Sequence, residues 1–209
     1  TSNFRAGVNA GNSIVSGGIY NVLVGDEAGT AITTGDNNVA IGYRALDAED
    51  TGSSNIAIGS WALSALNNDA ASYNVAIGYL AGESINTGTE NTLIGGLAGD
   101  ALTTGHYNVA VGFEALSTED AHGRCTALGF RALKTLNAGT DSYNVAIGFD
   151  AGREVTTGIS NTFIGGLAGD ATTTGGENTA VGTSSLTTNT TGIRNTVLGK
   201  DAMYANTTG

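Results

Sequence analysis

The sequence predicts an all-β protein, a parallel β-solenoid of about twelve rungs of 17 residues. Two observations lead to this fold class. A five-residue motif, Asn-x-x-aliphatic-Gly, recurs along the whole chain at an almost constant spacing. The composition is also unusual, because glycine accounts for 33 of the 209 residues, proline is absent and charged residues are 13%. Low charge combined with many aliphatic residues argues against disorder, and glycine without a Gly-X-Y period excludes collagen.

The sequence contains twelve copies of the motif. The first, residues 3–7, is degenerate, and Cys125 takes the asparagine place in the eighth. The other ten begin at Asn21, Asn38, Asn55, Asn74, Asn91, Asn108, Asn144, Asn161, Asn178 and Asn195. Successive copies start 17 to 19 residues apart. A short and nearly fixed period is typical of repeat proteins that stack identical units.

The rungs form a larger repeat. Each motif is followed by Ala-Gly, or by Ala-Leu or a close variant, in the order Ala-Gly, Ala-Gly, Ala-Leu, Ala-Leu, three times over. This order defines super-repeats at 3–73, 74–143 and 144–209. We therefore expect residues 1–209 to be a single repeat domain, and a fragment of a longer chain.

Each motif is predicted to be a short strand closed by a turn, because it is aliphatic, often β-branched, and ends in glycine. Side chains alternate along a strand, so its second and fourth positions share a face. The fourth position is large and aliphatic in every copy after the first, as in Ile41, Ile58 and Ile77. We expect this position to form a stacked core column. Thr-Gly pairs before many motifs are expected to form a second corner, where glycine supplies a positive φ.

The asparagines are predicted to form a structural ladder and not a catalytic or ligand-binding row. Stacked asparagine side chains can hydrogen-bond to one another and to the backbone of a turn. Cys125 fits this interpretation, because a small residue that tolerates burial can take the same place.

The charge and the rarity of reactive residues exclude several classes of function. The net charge of −11 opposes binding to nucleic acid or to anionic lipid. No apolar run is long enough to span a membrane. The two histidines, His106 and His122, lack metal-ligand spacing with Cys125, and no unique cluster interrupts the period as a catalytic site would. We expect no enzyme activity, no metal and no cofactor, with Asp69 and Asp141 as the only candidate ligands for Ca²⁺.

The runs Asn-Val-Ala-Ile-Gly at 38–42, 74–78 and 144–148, followed by small residues and a glycine turn, resemble the head repeats of trimeric autotransporter adhesins. Related repeats occur in phage tail fibres. The resemblance extends over 3–209, although these rungs are longer than those of the adhesin heads. It implies a left-handed parallel β-roll that assembles as a parallel homotrimer on a cell or virion surface. The residues add some support for a homotrimer over a monomeric solenoid, because both strand faces are apolar and such strands are usually covered on both sides.

The expected function is therefore a structural or receptor-binding segment of an extracellular fibre, either a phage tail fibre or a bacterial adhesin. It would mediate attachment to a host surface, with a cell-surface glycan or matrix as its partner. Aromatic residues after the motif glycine are candidates for stacking on sugars, or else for core or trimer contacts: Tyr43, Tyr79, Phe113, Phe130 and Phe149, with Trp61 one place further on. The longer corners at 67–73 and 137–143, which contain Asp69 and Asp141, are further candidates.

The alternative function is ice binding. A regular column of threonines on a solenoid can serve this purpose, and the Thr-Gly pairs offer Thr34, Thr51, Thr87, Thr104, Thr157, Thr174 and Thr191. The column is interrupted at the two longer rungs. A threonine beside glycine at a corner is also explained by turn chemistry alone.

Overall fold

A computed structural model describes residues 2–208 of the chain. Its regular structure is one parallel sheet of twelve three-residue strands. The strands are β1 Phe4–Ala6, β2 Val22–Val24, β3 Val39–Ile41, β4 Ile56–Ile58, β5 Val75–Ile77, β6 Thr92–Ile94, β7 Val109–Val111, β8 Thr126–Leu128, β9 Val145–Ile147, β10 Thr162–Ile164, β11 Thr179–Val181 and β12 Thr196–Leu198. Each strand pairs only with its neighbours in the chain, in the order β1 to β12.

The register follows the sequence repeat, because each motif position pairs with the same position of the next copy. Val39 lies beside Ile56, and Ile41 beside Ile58. The longer rungs keep this register, since Ile58 pairs with Ile77 across 19 residues. The predicted parallel β-solenoid with a 17-residue rung is thus confirmed.

The interior is filled by the middle residue of each strand together with the Ala-Gly or Ala-Leu pair and the apolar residue that follows it. Alanine is the commonest middle residue, as in Ala40 and Ala57, and the larger Leu23, Leu93 and Phe163 are equally buried. All five side chains are fully excluded from solvent. Alternation along the strand therefore directs the first and third motif positions inward.

The expectation that the fourth position forms the core column is wrong. Ile41, Ile58 and Ile77 stack in register as expected, but they lie on the outer side of the sheet and are only half-buried. Ile94 and Leu128 at the same position are 36% and 42% exposed. The asparagine decides which motif positions face the interior. Its amide bonds to backbone groups inside the coil, and alternation along the strand then directs the second and fourth positions outward.

Glycine ends each strand because two adjacent rungs approach closely there. The φ of Gly42 is +131°, and a Cβ on this residue would lie 2.7 Å from the carbonyl oxygen of Gly59 in the next rung. The glycines of the Thr-Gly pairs differ from the expectation, since none has a positive φ. Glycine is needed at these positions because there is no room for a side chain. A Cβ on Gly88, for example, would lie 2.5 Å from the Gly105 oxygen.

Candidate functional site

The asparagines of the ladder direct their polar atoms to partners inside the coil, as Asn91 shows. The backbone N–H of Asn91 donates to Oδ1 of Asn74 at 3.0 Å, and Oδ1 of Asn91 accepts from the N–H of Asn108 at 3.0 Å. Nδ2 of Asn91 donates to the carbonyl of Gly105 at 2.9 Å, at the corner that ends the same rung, just before the next strand. Nine of the ten asparagines are buried, and Asn195 in the last rung is half-buried. These amides brace the coil and offer nothing to a ligand.

We predict that Asn91→Ala lowers the free energy of unfolding by about 2–4 kcal/mol. The substitution leaves the Asn108 N–H and the Gly105 carbonyl buried without partners, and each costs about 1–3 kcal/mol. Thermal and chemical denaturation followed by circular dichroism measure the loss. Asn67→Ala, at an exposed asparagine in the longer corner, is the matched control and should change stability by less than about 0.5 kcal/mol. Equal effects of the two variants would contradict the ladder's role.

Cys125 occupies the ladder without acquiring reactivity. Its N–H donates to Oδ1 of Asn108 at 3.1 Å, and its Sγ lies 2.7 Å from the hydroxyl oxygen of Ser142. Burial raises the pKa of the thiol to about 11, so it stays protonated at neutral pH. The nearby His122 ring has its Nδ1 3.5 Å from Oε1 of Glu119. No nucleophilic dyad is therefore formed at these two residues.

Two buried glutamates form a feature that sequence reasoning missed. Glu49 and Glu119 are fully excluded from solvent at the place where most other rungs carry an inward aliphatic residue. Oε1 of Glu49 accepts the N–H of Gly52 at 2.8 Å, and Oε2 accepts the N–H of Asn68 at 3.3 Å. Oε2 of Glu119 likewise accepts the N–H of Ala138 at 3.3 Å.

These glutamates support the longer corners at 67–73 and 137–143. Asn68 and Ala138 belong to those corners, where two inserted residues displace the backbone from the regular ladder. The third super-repeat has Asn189 at the equivalent position, where its Oδ1 accepts the N–H of Gly192 at 3.1 Å. The sequence does contain a signal for these buried glutamates, since one glutamate lies one rung before each 19-residue rung. The signal was overlooked because an acidic residue is not expected in a core column.

Glu119, Asp120 and His122 are the one group among residues 2–208 with three ligand atoms close enough for a metal ion, within 4.8 Å of one another. Both carboxylate oxygens of Glu119 already accept backbone N–H groups. The group is accounted for by the corner it braces, and nothing in its geometry requires an ion. Burial raises the pKa of Glu119.

The two aspartates predicted as weak Ca²⁺ ligands lie apart in different super-repeats. Asp69 is exposed, and its Oδ1 accepts from the hydroxyl of Thr51 at 3.2 Å. Asp141 accepts from Nε of Arg124 at 2.6 Å and from the N–H of Gly123. The bond from Arg124 lowers the pKa of Asp141. Each aspartate thus has a partner within the chain.

The outer face of the sheet is a long and regular surface. Its two columns are the second and fourth motif positions, which carry valine, isoleucine, leucine and threonine from β2 to β12. With strands about 4.8 Å apart, the columns run for about 50 Å. Along this length the face carries no charged side chain, and Val109, Ile94, Leu128, Ile164 and Leu198 are between 36% and 80% exposed.

The predicted aromatic residues form a column beside this face, at the position after the motif glycine. Five of them are exposed, namely Tyr43, Tyr79, Phe113, Phe130 and Phe149, and Trp61 is half-buried. The rings of Phe113, Phe130 and Phe149 stack with centroids 5.9 and 5.2 Å apart. The Tyr43 and Trp61 rings meet edge to face at 5.6 Å, and the guanidinium of Arg44 lies over Trp61.

The threonine column lies at a different corner of the rung. Six members are exposed, namely Thr34, Thr87, Thr104, Thr157, Thr174 and Thr191, and Thr51 is half-buried. The longer corners interrupt it, as the sequence indicated. The hydroxyl of Thr104 donates to the carbonyl of Ala121 in the next rung at 3.3 Å, so part of the column serves rung-to-rung bonding.

The described residues include no helix with the length and hydropathy needed to cross a bilayer. In comparisons with known proteins, the chain matches no family model, no curated protein sequence and no solved structure.

Proposed function

We propose that this chain is a stiff segment of a trimeric fibrous surface protein, a phage tail fibre or a bacterial adhesin, that mediates attachment to a host surface. The observation that supports this proposal most is the uninterrupted, uncharged outer face of the sheet. A monomeric soluble protein rarely exposes a contiguous apolar patch above about 300–600 Å². Two side-chain columns about 50 Å long and about 13 Å wide cover a rectangle of about 650 Å², in which aliphatic residues outnumber the threonines that stand at five of the eleven second positions.

A second and third copy of the same chain are the occupants that fit this face. A face of about 650 Å² per chain approaches the roughly 800 Å² that each partner buries in a stable interface. A parallel strand apolar on both faces is usually covered on both. Three copies, rather than two, are supported by the resemblance to adhesin head repeats.

The role of such an assembly is mechanical. Stacked rungs pair the backbone of each strand with both neighbours, which leaves unpaired strand edges only at the two ends. A rod of this kind holds a binding surface away from the cell or virion. The net charge of −11 keeps the elongated surface soluble.

We predict that the double variant Ile58→Asp/Ile77→Asp is monomeric, whereas the unaltered chain is trimeric at micromolar concentration. Burying two unpaired carboxylates in an apolar interface costs several kcal/mol each, while the half-exposed positions tolerate them in the monomer. Sedimentation equilibrium measures the mass, and circular dichroism checks that the strands persist. Thr34→Asp/Thr87→Asp, on the exposed corner column, is the matched control and should remain trimeric. A monomeric or dimeric unaltered chain would rule out the trimer.

Binding assays separate the proposed function from its alternatives. An adhesive segment should bind glycans or matrix proteins on an array. An ice-binding solenoid should instead produce thermal hysteresis that Thr157→Leu/Thr174→Leu reduces, without a glycan signal. A segment that acts only as a spacer should give neither response.

A further inference from the structure

Two glycines in the aromatic column have no conformational reason to be glycine. Gly96 and Gly166 occupy the position after the motif glycine, where other rungs carry tyrosine, phenylalanine, serine, threonine, valine, aspartate or lysine. Neither has a positive φ. A Cβ on Gly96 would make ordinary contacts, 3.4 Å from Cδ2 of Phe113, and a Cβ on Gly166 would approach only a carbonyl oxygen, at 4.0 Å. The fold therefore tolerates a side chain at both positions.

The absent side chain at Gly96 leaves a gap between two aromatic residues. Tyr79 precedes Gly96 by one rung and Phe113 follows it by one rung, in the same column. Tyr79 is 60% exposed and its ring contacts no other ring among residues 2–208, while Phe113 stacks on Phe130 on its far side. Neither of these two rings thus has another ring on the side of Gly96 among residues 2–208. We refer to Tyr79, Gly96 and Phe113 as the aromatic notch.

The size of the aromatic notch suits one ring. Two rung spacings separate the backbones of Tyr79 and Phe113 by about 9.6 Å. A ring held between two aromatic faces needs two carbon–carbon contacts of about 3.5–4.0 Å each, or about 7–8 Å in total. The puckered ring of a sugar is thicker than a flat aromatic ring, and it takes up the remaining space better.

The surrounding charge selects among ring-shaped ligands. The chain has 19 acidic and 8 basic residues. In the rungs that form the notch, Glu83 has no ion pair among residues 2–208, whereas Glu114 is paired with Arg131 and Lys134. Carboxylates accept hydrogen bonds from sugar hydroxyls and repel anionic ligands. We infer that the aromatic notch binds a pyranose ring of an uncharged glycan, an inference that rests on the attachment function proposed above and names its ligand class.

The test fills the notch with the residue type that the column already uses. Gly96→Phe should abolish binding to an array of neutral gluco-, galacto- and manno-configured oligosaccharides, with at least a tenfold loss of affinity for the best probe. Thr183→Phe adds the same ring to the same column without an aromatic neighbour in either adjacent rung, and it should bind like the unaltered chain. Tyr79→Ala and Phe113→Ala should each weaken binding about tenfold, and they serve as second variants should Gly96→Phe fold poorly.

The outcomes that overturn the inference are distinct from failure of the trimer. A trimeric unaltered chain that binds no neutral oligosaccharide refutes the notch alone. Binding only of sialylated or sulfated probes, or of nucleosides in place of sugars, also refutes the notch. An equal loss of binding in Thr183→Phe refutes it as well. A change in sedimentation mass caused by Gly96→Phe would show that a neighbouring chain fills the notch, and it would also refute the inference. Sugar binding by a monomeric chain would uphold the notch and refute the trimer.

Discussion

Replacing Gly42 by alanine should destabilise the solenoid by about 4 kcal/mol or more. Two penalties combine at this strand end. The φ of +131° is a conformation that residues with a side chain rarely adopt, at a cost of about 1–3 kcal/mol. The added Cβ would also lie 2.7 Å from the carbonyl carbon and oxygen of Gly59, so two rungs must separate. Separation breaks the backbone bond from the Gly59 N–H to the Ile41 carbonyl, which is 2.7 Å long.

Thermal unfolding of the variant, followed by circular dichroism, gives the size of the effect. Gly96→Ala is the matched control, since it adds the same methyl group at a glycine with an ordinary φ and no close neighbour below 3.4 Å. Its stability should stay within about 0.5 kcal/mol of the unaltered chain. If both substitutions are equally mild, the rungs are not as closely stacked at the strand ends as described.

Removal of the buried carboxylate in Glu49→Ala should lower the free energy of unfolding by about 2–5 kcal/mol. The substitution leaves the N–H groups of Gly52 and Asn68 without an acceptor, at about 1–3 kcal/mol each. It also opens a cavity in the core column. Denaturation at neutral pH measures the loss, and Glu90→Ala at an exposed glutamate should have almost no effect.

The same glutamates give the stability a pH dependence of definite sign. Burial raises the pKa of Glu49 and of Glu119 above the ordinary value of 4.5. The folded state therefore holds these protons more tightly than the unfolded state, and stability falls as the pH rises from about 4.5 through the raised pKa. The double variant Glu49→Gln/Glu119→Gln should lack this part of the dependence. Parallel pH profiles of the two proteins between pH 4 and 8 would contradict the assignment.

A large part of the fold was predictable because the repeat is local. The spacing of the asparagine motif located all twelve strands, including β8 with Cys125 in place of asparagine. The constant register followed, since identical units of 17 residues stack with equivalent positions paired. The stacking of Ile41, Ile58 and Ile77 was foreseen on the same basis.

The candidate sites were predictable only in part. The spacing of the aromatic residues in the sequence predicts that they lie in one column, but it does not predict which rings contact each other. The stack of Phe113, Phe130 and Phe149 and the gap at Gly96 depend on how rings lean between neighbouring rungs. Glu49 and Glu119 were missed because their partners, the N–H groups of Asn68 and Ala138, lie about one rung away in the chain.

The sequence by itself determined the period, the strands and the asparagine ladder, because these depend on which residue types recur and how far apart. Only the tertiary structure decided which strand face is the interior. Alternation makes the two faces of Asn-Val-Ala-Ile-Gly equivalent in pattern, and both are apolar. The choice is made when the coil closes, because the amide of most asparagines reaches the carbonyl of the corner just before the next strand, 14 residues on, as Asn91 does. That requirement places Asn91 and Leu93 inside, and it leaves Thr92 and Ile94 on the outer face, where we propose that a neighbouring chain packs.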